Sequence, residues 1–163
     1  MSETEWLVAL EEIRQLKARR DRYVDAHDWP AYEALHALDH VSHNDGQEPW
    51  TSSKQMIENV SRIMDGMVTV HHSYDPEIVF DSPAKARGIW AMTGGIVSSH
   101  DGRDSWSISY GYYYETYEKR DGRWLFTTRR WHRYVGLSGD GVTFPSRPPR
   151  GANAFDAPLW DGG

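Results

Sequence analysis

Residues 111–134 read GYYYETYEKRDGRWLFTTRRWHRY. Asp121-Gly122 stands between two runs dense in aromatic and β-branched residues. That pattern predicts an antiparallel pair, Trp106–Glu118 and Arg123–Val135, joined by a tight turn. Along the first run Tyr110, Tyr112 and Tyr114 alternate with Gly111, Tyr113 and Glu115, so both strand faces carry aromatics. One face is expected to line a core, and the other to need cover from a helix or a second subunit. On the second run, strict alternation groups Leu125, Thr127, Arg129, Trp131 and Arg133 on one face. It groups Phe126, Thr128, Arg130, His132 and Tyr134 on the other. Arginine on both faces points at least one guanidinium inward, toward a carboxylate or an anionic substrate.

Upstream the periodicity changes. Trp6, Leu7, Leu10, Ile13, Leu16 and Lys17 recur at helical spacing, with Ser2 or Thr4 as the cap, and the pattern extends through Tyr23 and Val24. DAHDWP interrupts it. Asp28 is a candidate N-cap and Pro30 falls in the first turn of a second helix, whose apolar face would be Tyr32, Leu35 and Leu38. Val41-Ser42-His43 reads as a short strand. Thr51 to Ser53 cap a third helix carrying Met56, Ile57, Val60 and Ile63. VTVHHSYDPEIVF, residues 68–80, turns to strand character, and Pro76 demands a bulge, a bend or an edge. Asp81 and Pro83 mark the next turn, and SSHDGRD reads as a polar loop. Helices first and strands afterwards define an α+β chain. One folded domain is expected over 1–135. The Gly/Pro-rich tail, 136–163, reads as loop that packs on the domain or on a partner subunit through Phe144, Phe155 and Trp160.

Composition narrows the chemistry. The chain has 163 residues, no cysteine, and 21 aromatics among its 8 Trp, 9 Tyr and 4 Phe. That aromatic content excludes disorder over most of the length. Lack of cysteine excludes thiol catalysis, Cys-ligated zinc and iron–sulfur clusters. A net charge of −6 argues against a nucleic-acid partner. No apolar run reaches the ~20 residues of a membrane span. The acidic, amphipathic start is unlike a signal peptide, so a cytoplasmic location is expected.

Eight histidines raise a metal reading, but His40/His43 and the adjacent His71/His72 lack the spacing of a ligand motif, so no metal is expected. Asp25 is conspicuous because it closes the first helix, where a carboxylate opposes the negative end of the dipole. A solvated turn residue or a cap is its plainer role. His71 follows apolar and β-branched residues in a strand, where a core histidine bonded to a carbonyl is the plainer role.

Four stretches together resemble the SnoaL-like branch of the nuclear-transport-factor-2-like superfamily. They are EIRQLKARRDRYVDAHDWPAYEALHAL, VTVHHSYDPEIVF, ARGIWAM and the hairpin quoted above. The resemblance implies a curved antiparallel sheet forming a cone around a pocket, closed by three N-terminal helices. It is nearest to scytalone dehydratase, hexachlorocyclohexane dehydrochlorinase and bile acid dehydratases, which share an Asp–His pair. The resemblance places the acid at Asp25 and the histidine at His71, with His72 on the opposite strand face. It also implies a leaving-group or oxyanion cation at Arg20 on the first helix. A second falls on the last strand at Arg129, or at Arg130 or His132 if the register differs. Tyr113, Trp131, Arg133 and Trp90 are then expected to line the substrate pocket.

The implied function is cofactor-independent proton abstraction from carbon in a hydrophobic cyclic molecule, leading to elimination or isomerisation. Epoxide hydrolysis or polyketide cyclisation on the same fold is an alternative, although no second strand acid is evident. A non-catalytic binding or assembly module is another. Homodimers or homotrimers are expected in each case.

Overall fold

The computed structural model describes residues 1–100, 103–139 and 141–143. Helix α1 spans Glu3–Asp25. Ser2 and Glu5 cap it reciprocally: Glu5 N–H donates to Ser2 Oγ at 3.3 Å, and Ser2 N–H donates to Glu5 Oε2 at 2.7 Å, the arrangement of a capping box. One stripe of this helix, Ala9, Ile13, Leu16, Lys17, Arg20, Asp21 and Val24, is buried. Its N-terminal half is apolar and its C-terminal half is charged, so one helix supplies both a core and the wall of a polar site.

Helix α2, Trp29–Glu33, is a single turn capped by Asp28, with Pro30 in its first turn. It is shorter than its apolar spacing predicts. Strand β1, His36–Asn44, begins almost at once, and Leu38 is 84 % exposed on it rather than on a helix face. Helix α3, Ser53–Ile63, is capped by Ser52. The remaining strands are β2 (Met67–Ser82), β3 (Lys85–His100), β4 (Arg103–Arg120), β5 (Arg123–Ser138) and β6 (Gly141–Thr143).

The strands form one curved sheet in the order β1-β5-β4-β3-β2, with β6 on β5. Among the described strands every pair but one is antiparallel. β1 runs parallel to β5, which departs from the wholly antiparallel sheet expected. β3 and β4 continue through most of the segment read as a polar loop. Likewise β5 passes Gly136 and pairs with β6, where loop was expected. The side chains of Phe144, Phe155 and Trp160 lie outside the described residues.

Turn chemistry follows the sequence. Asp121 (φ 49°) and Gly122 (φ 78°) both take positive φ, the conformation of a tight hairpin turn. Pro76 coincides with a break in register between Tyr74 and Glu77, and Asp75 absorbs it at φ 48°.

Strand β5 carries two further irregularities that strict alternation does not foresee. Tyr117 pairs with Phe126 while Thr116 pairs with Thr128, leaving Thr127 as an extra residue. Gly111 pairs with Arg133 while Tyr110 pairs with Val135, leaving Tyr134 extra. A bulged residue shifts every later side chain by one position. Phe126 and Arg129 therefore both face inward, although they are three apart. Gly111 is required by the second bulge: a Cβ there would lie 2.1 Å from the His132 carbonyl oxygen.

The main core joins Ile13 and Leu16 of α1 to Trp90, Tyr113, Tyr117, Trp124 and Phe126 of the sheet. A second cluster, Val24, Tyr32, Met56 and Val60, ties the three helices together. Between them the sheet opens into a cavity.

Candidate active site

Asp25 is the last residue of α1, and His71 stands on β2 beside it. Asp25 Oδ1 lies 2.7 Å from His71 Nδ1 and accepts from Thr69 Oγ1 at 2.9 Å. Its other oxygen accepts the His71 backbone N–H at 2.8 Å. A carboxylate only accepts, so the contact places the ring proton on Nδ1 and leaves Nε2 as the basic nitrogen. The ring is largely buried, its side chain 12 % exposed against 24 % for Asp25. His72 alternates to the other face, as expected.

His71 lines a cavity of about 210 Å³. The walls include Arg20 and Val24 from α1, Tyr32 from α2, and Val60 and Ile63 from α3. The sheet contributes Met92, Gly94, Ser109, Tyr113, Arg129, Trp131 and Arg133. Asn44 at the end of β1 and Trp50 in the β1–α3 connection close it. The structure thus brings Arg20, Arg129, Tyr113, Trp131 and Arg133 to the same cavity as His71. Arg130 and His132, the alternatives to Arg129, turn to the opposite face because of the bulge at Thr127.

Trp90 does not line this cavity. It is 4 % exposed within the main core, where its Nε1–H donates to the Tyr117 hydroxyl at 2.8 Å. Strand alternation puts it on the inner face, but at the closed end of the cone, where α1 fills the space.

Tyr113 is the centre of charge beneath the site. The Lys17 ammonium lies 3.8 Å from its ring centroid, the Arg20 guanidinium 5.0 Å and the Arg129 guanidinium 5.2 Å. Burial raises the Tyr113 phenol pKa, and the two guanidinium groups only partly offset this. Lys17 forms a fully buried ion pair with Glu115. Burial lowers its pKa from the usual lysine range to about 8. The other Glu115 oxygen accepts from Tyr117 at 2.6 Å. Arg20 Nη1 donates to Asp21 at 3.0 Å. Burial alone would raise the Asp21 carboxyl pKa, but the Lys17 and Arg20 charges outweigh it and hold it low. Among the described residues Arg129 has the Asn44 amide oxygen as its hydrogen-bond partner, at 3.2 and 3.4 Å. Burial, and then the neighbouring Arg20 charge, lower its pKa.

Sequence reasoning missed Lys17, Asp21 and Glu115. A signal existed: Ile13, Lys17, Arg20 and Val24 fall on one helical stripe, so charges there had to be buried and paired. Asn44 gave no signal. Among the described residues no group of three or more His, Asp or Glu is placed to hold a metal ion. No helix among them is long and apolar enough to cross a membrane.

The sequence profile of the SnoaL-like domain matches residues 6–130. The chain belongs to that family. Among curated protein sequences none matches it. Solved structures show how widely this SnoaL-like fold is shared. A putative scytalone dehydratase from Novosphingobium aromaticivorans is 21% identical, with a TM-score of 0.76 over 94% of this chain and 97% of that one. A hexachlorocyclohexane dehydrochlorinase from Novosphingobium barchaimii is 18% identical, with a TM-score of 0.76 over 91% and 100%. An NTF2-like protein with a cystatin-like fold from Novosphingobium aromaticivorans is 16% identical, with a TM-score of 0.67 over 80% and 84%. At these identities the likeness of this SnoaL-like chain to its neighbours is one of fold: a curved sheet closed by N-terminal helices.

Proposed function

We propose that this SnoaL-like protein is a cofactor-independent lyase or isomerase that abstracts a proton from carbon in a hydrophobic cyclic small molecule. The observation that carries the reading is the 2.7 Å contact between Asp25 and His71 at the wall of the cavity. His71 Nε2 takes the proton as the C–H bond breaks. The electron pair left behind forms a C=C bond, and a hydroxide or halide leaves from the adjacent carbon with its own pair. In isomerisation the pair shifts along the ring and the proton returns at another carbon. Asp25 keeps Nδ1 protonated and stabilises the imidazolium, the orienting role of the acid in a hydrolase triad, here without a nucleophile. Arg20 and Arg129 stabilise the leaving group or the developing oxyanion. Tyr113, Trp131 and Arg133 shape the pocket.

Epoxide hydrolysis fits less well, because the buried strand acid, Glu115, has both oxygens engaged by Lys17 and Tyr117 and does not border the cavity. The reading also includes self-association through the outer sheet face. There Val68, Val97 and Trp106 align across three strands and are 67 %, 43 % and 48 % exposed.

A panel of cyclic β-hydroxy ketones incubated with the protein in D₂O tests the chemistry. The wild type should release the conjugated enone, read by ultraviolet absorbance, or incorporate deuterium at carbon. His71→Gln should do neither while keeping its circular dichroism spectrum. Equal rates in the two proteins would refute the assignment.

A further inference from the structure

Among the described residues, four buried N–H donors on cavity-lining side chains have no hydrogen-bond partner: Arg20 Nε, Arg129 Nε, Asn44 Nδ2 and Trp131 Nε1. No buried acceptor on a lining side chain is orphaned in the same way among the described residues. Buried polar groups are ordinarily satisfied, and each exception asks for an explanation. On the cavity wall the exceptions are all donors, a set that an acceptor would complete.

The charges point the same way. Lys17 is paired with Glu115, Arg20 with Asp21, and His71 with Asp25. Arg129, 9 % exposed, has a neutral amide oxygen as its hydrogen-bond partner. That same bond fixes the Asn44 amide with its oxygen toward Arg129, which leaves Nδ2 as the free donor. A guanidinium buried without a counter-charge is costly in the resting protein. A leaving group that gains its charge only during reaction does not relieve that cost, whereas an anionic group already on the ligand does. A halide offers one point to donors spread over two strands and a helix. A carboxylate offers about four lone-pair sites in a plane and accepts arginine in two-pronged fashion.

Size limits the rest of the molecule. The cavity volume of about 210 Å³ is below the ~300 Å³ at which ordinary small-molecule pockets begin. We infer that the cavity takes a small monocyclic carboxylic acid, its ring turned toward His71 and its carboxylate held by Arg129, Arg20, Asn44 and Trp131, so that the two arginines keep the oxyanion role proposed above, the charge developing on the carboxylate they hold. The inference names the substrate class for the proposed proton-abstraction site, and so rests on that reading for the chemistry, though not for binding.

Calorimetric titration of the full chain with cyclohexanecarboxylate and with cyclohexanecarboxamide, at one ionic strength, tests it. The acid should bind about tenfold tighter than the amide or better, the range of a charge-assisted hydrogen bond. It should also raise the thermal unfolding midpoint of the wild type. Arg129→Gln should bring the acid's affinity down to that of the amide and abolish the thermal shift. Arg129→Lys should restore part of both, which a merely structural role for Arg129 would not produce. His71→Gln should keep the preference for the acid even where it loses turnover, so failure of the binding inference and failure of the chemical assignment are told apart. Equal binding of acid and amide, binding of neither, or a preference that survives Arg129→Gln would overturn the inference.

Discussion

Asp25 grips His71 at two places, the ring Nδ1 at 2.7 Å and the backbone N–H at 2.8 Å. The first contact sets the tautomer, and the second locks the strand against the end of α1. A carboxylate at a helix C-terminus is unfavourable in itself; these contacts and the Thr69 hydroxyl offset that cost.

Asp25→Asn keeps the shape and removes the charge that steadies a protonated imidazole. Turnover should fall on the order of 10³-fold or more, as in triads whose acid is neutralised. Thr69→Val should cost far less. Steady-state kinetics on both variants, with unfolding midpoints as a control, give the comparison; a fall of less than tenfold for Asp25→Asn would remove Asp25 from the mechanism.

Glu115→Gln leaves the Lys17 ammonium buried without its anion. Breaking a buried pair on one side typically costs about 3–5 kcal/mol, and the Tyr113 ring, 3.8 Å from the ammonium, offsets only part of it. Adding Lys17→Met to the same chain should recover most of the loss. Urea unfolding of the two single variants and the double variant measures the coupling.

Acid should destabilise the fold well before the carboxylates titrate. Burial, then the neighbouring charges, lower the pKa of His36 and His40 below the ordinary histidine value, His40 to about 3. Both are neutral when folded and charge freely when unfolded. The unfolded chain thus binds more protons below about pH 6.5, and stability falls as pH drops through that value, by about 1.4 kcal/mol per pH unit for each histidine. Above it their contribution is complete. His40→Asn should flatten the slope measured by denaturant unfolding between about pH 4.5 and 6.5. An unchanged slope would show that His40 is not buried neutral.

The exposed row Val68, Val97 and Trp106 predicts a self-associated protein, with Trp106→Glu shifting it toward monomer in sedimentation velocity. A wild type that sediments as a monomer at all concentrations would leave that face to another partner.

Legibility in the sequence divided along physical lines. Local chemistry was readable: the Asp28 cap, the Asp121-Gly122 turn and the break at Pro76 depend on residues adjacent in the chain. The long-range pairing of Asp25 with His71 was reachable only through family resemblance, since nothing within either segment points to the other. The bulge at Thr127 was hidden, because threonine is an ordinary strand residue and carries no bulge signal. Parity therefore put Phe126 and Arg129 on opposite faces. Trp90 shows a related limit: alternation assigns a face but not a depth. Parallel pairing of β1 with β5 arises from tertiary packing and has no local mark.

The two extra residues in β5 have a consequence for how such a protein can change. Thr127 separates Trp124 and Phe126, which anchor the core, from Arg129 and Trp131, which line the cavity. Tyr134 in turn separates the cavity stretch from the strand's last residues. Each bulge works as a joint, so one continuous strand behaves as three short segments whose facing is set independently. Insertion or loss of a residue at a joint can exchange the inward set of one segment while the others stay in place. The binding wall can thus be rewritten without disturbing the foundation beneath it.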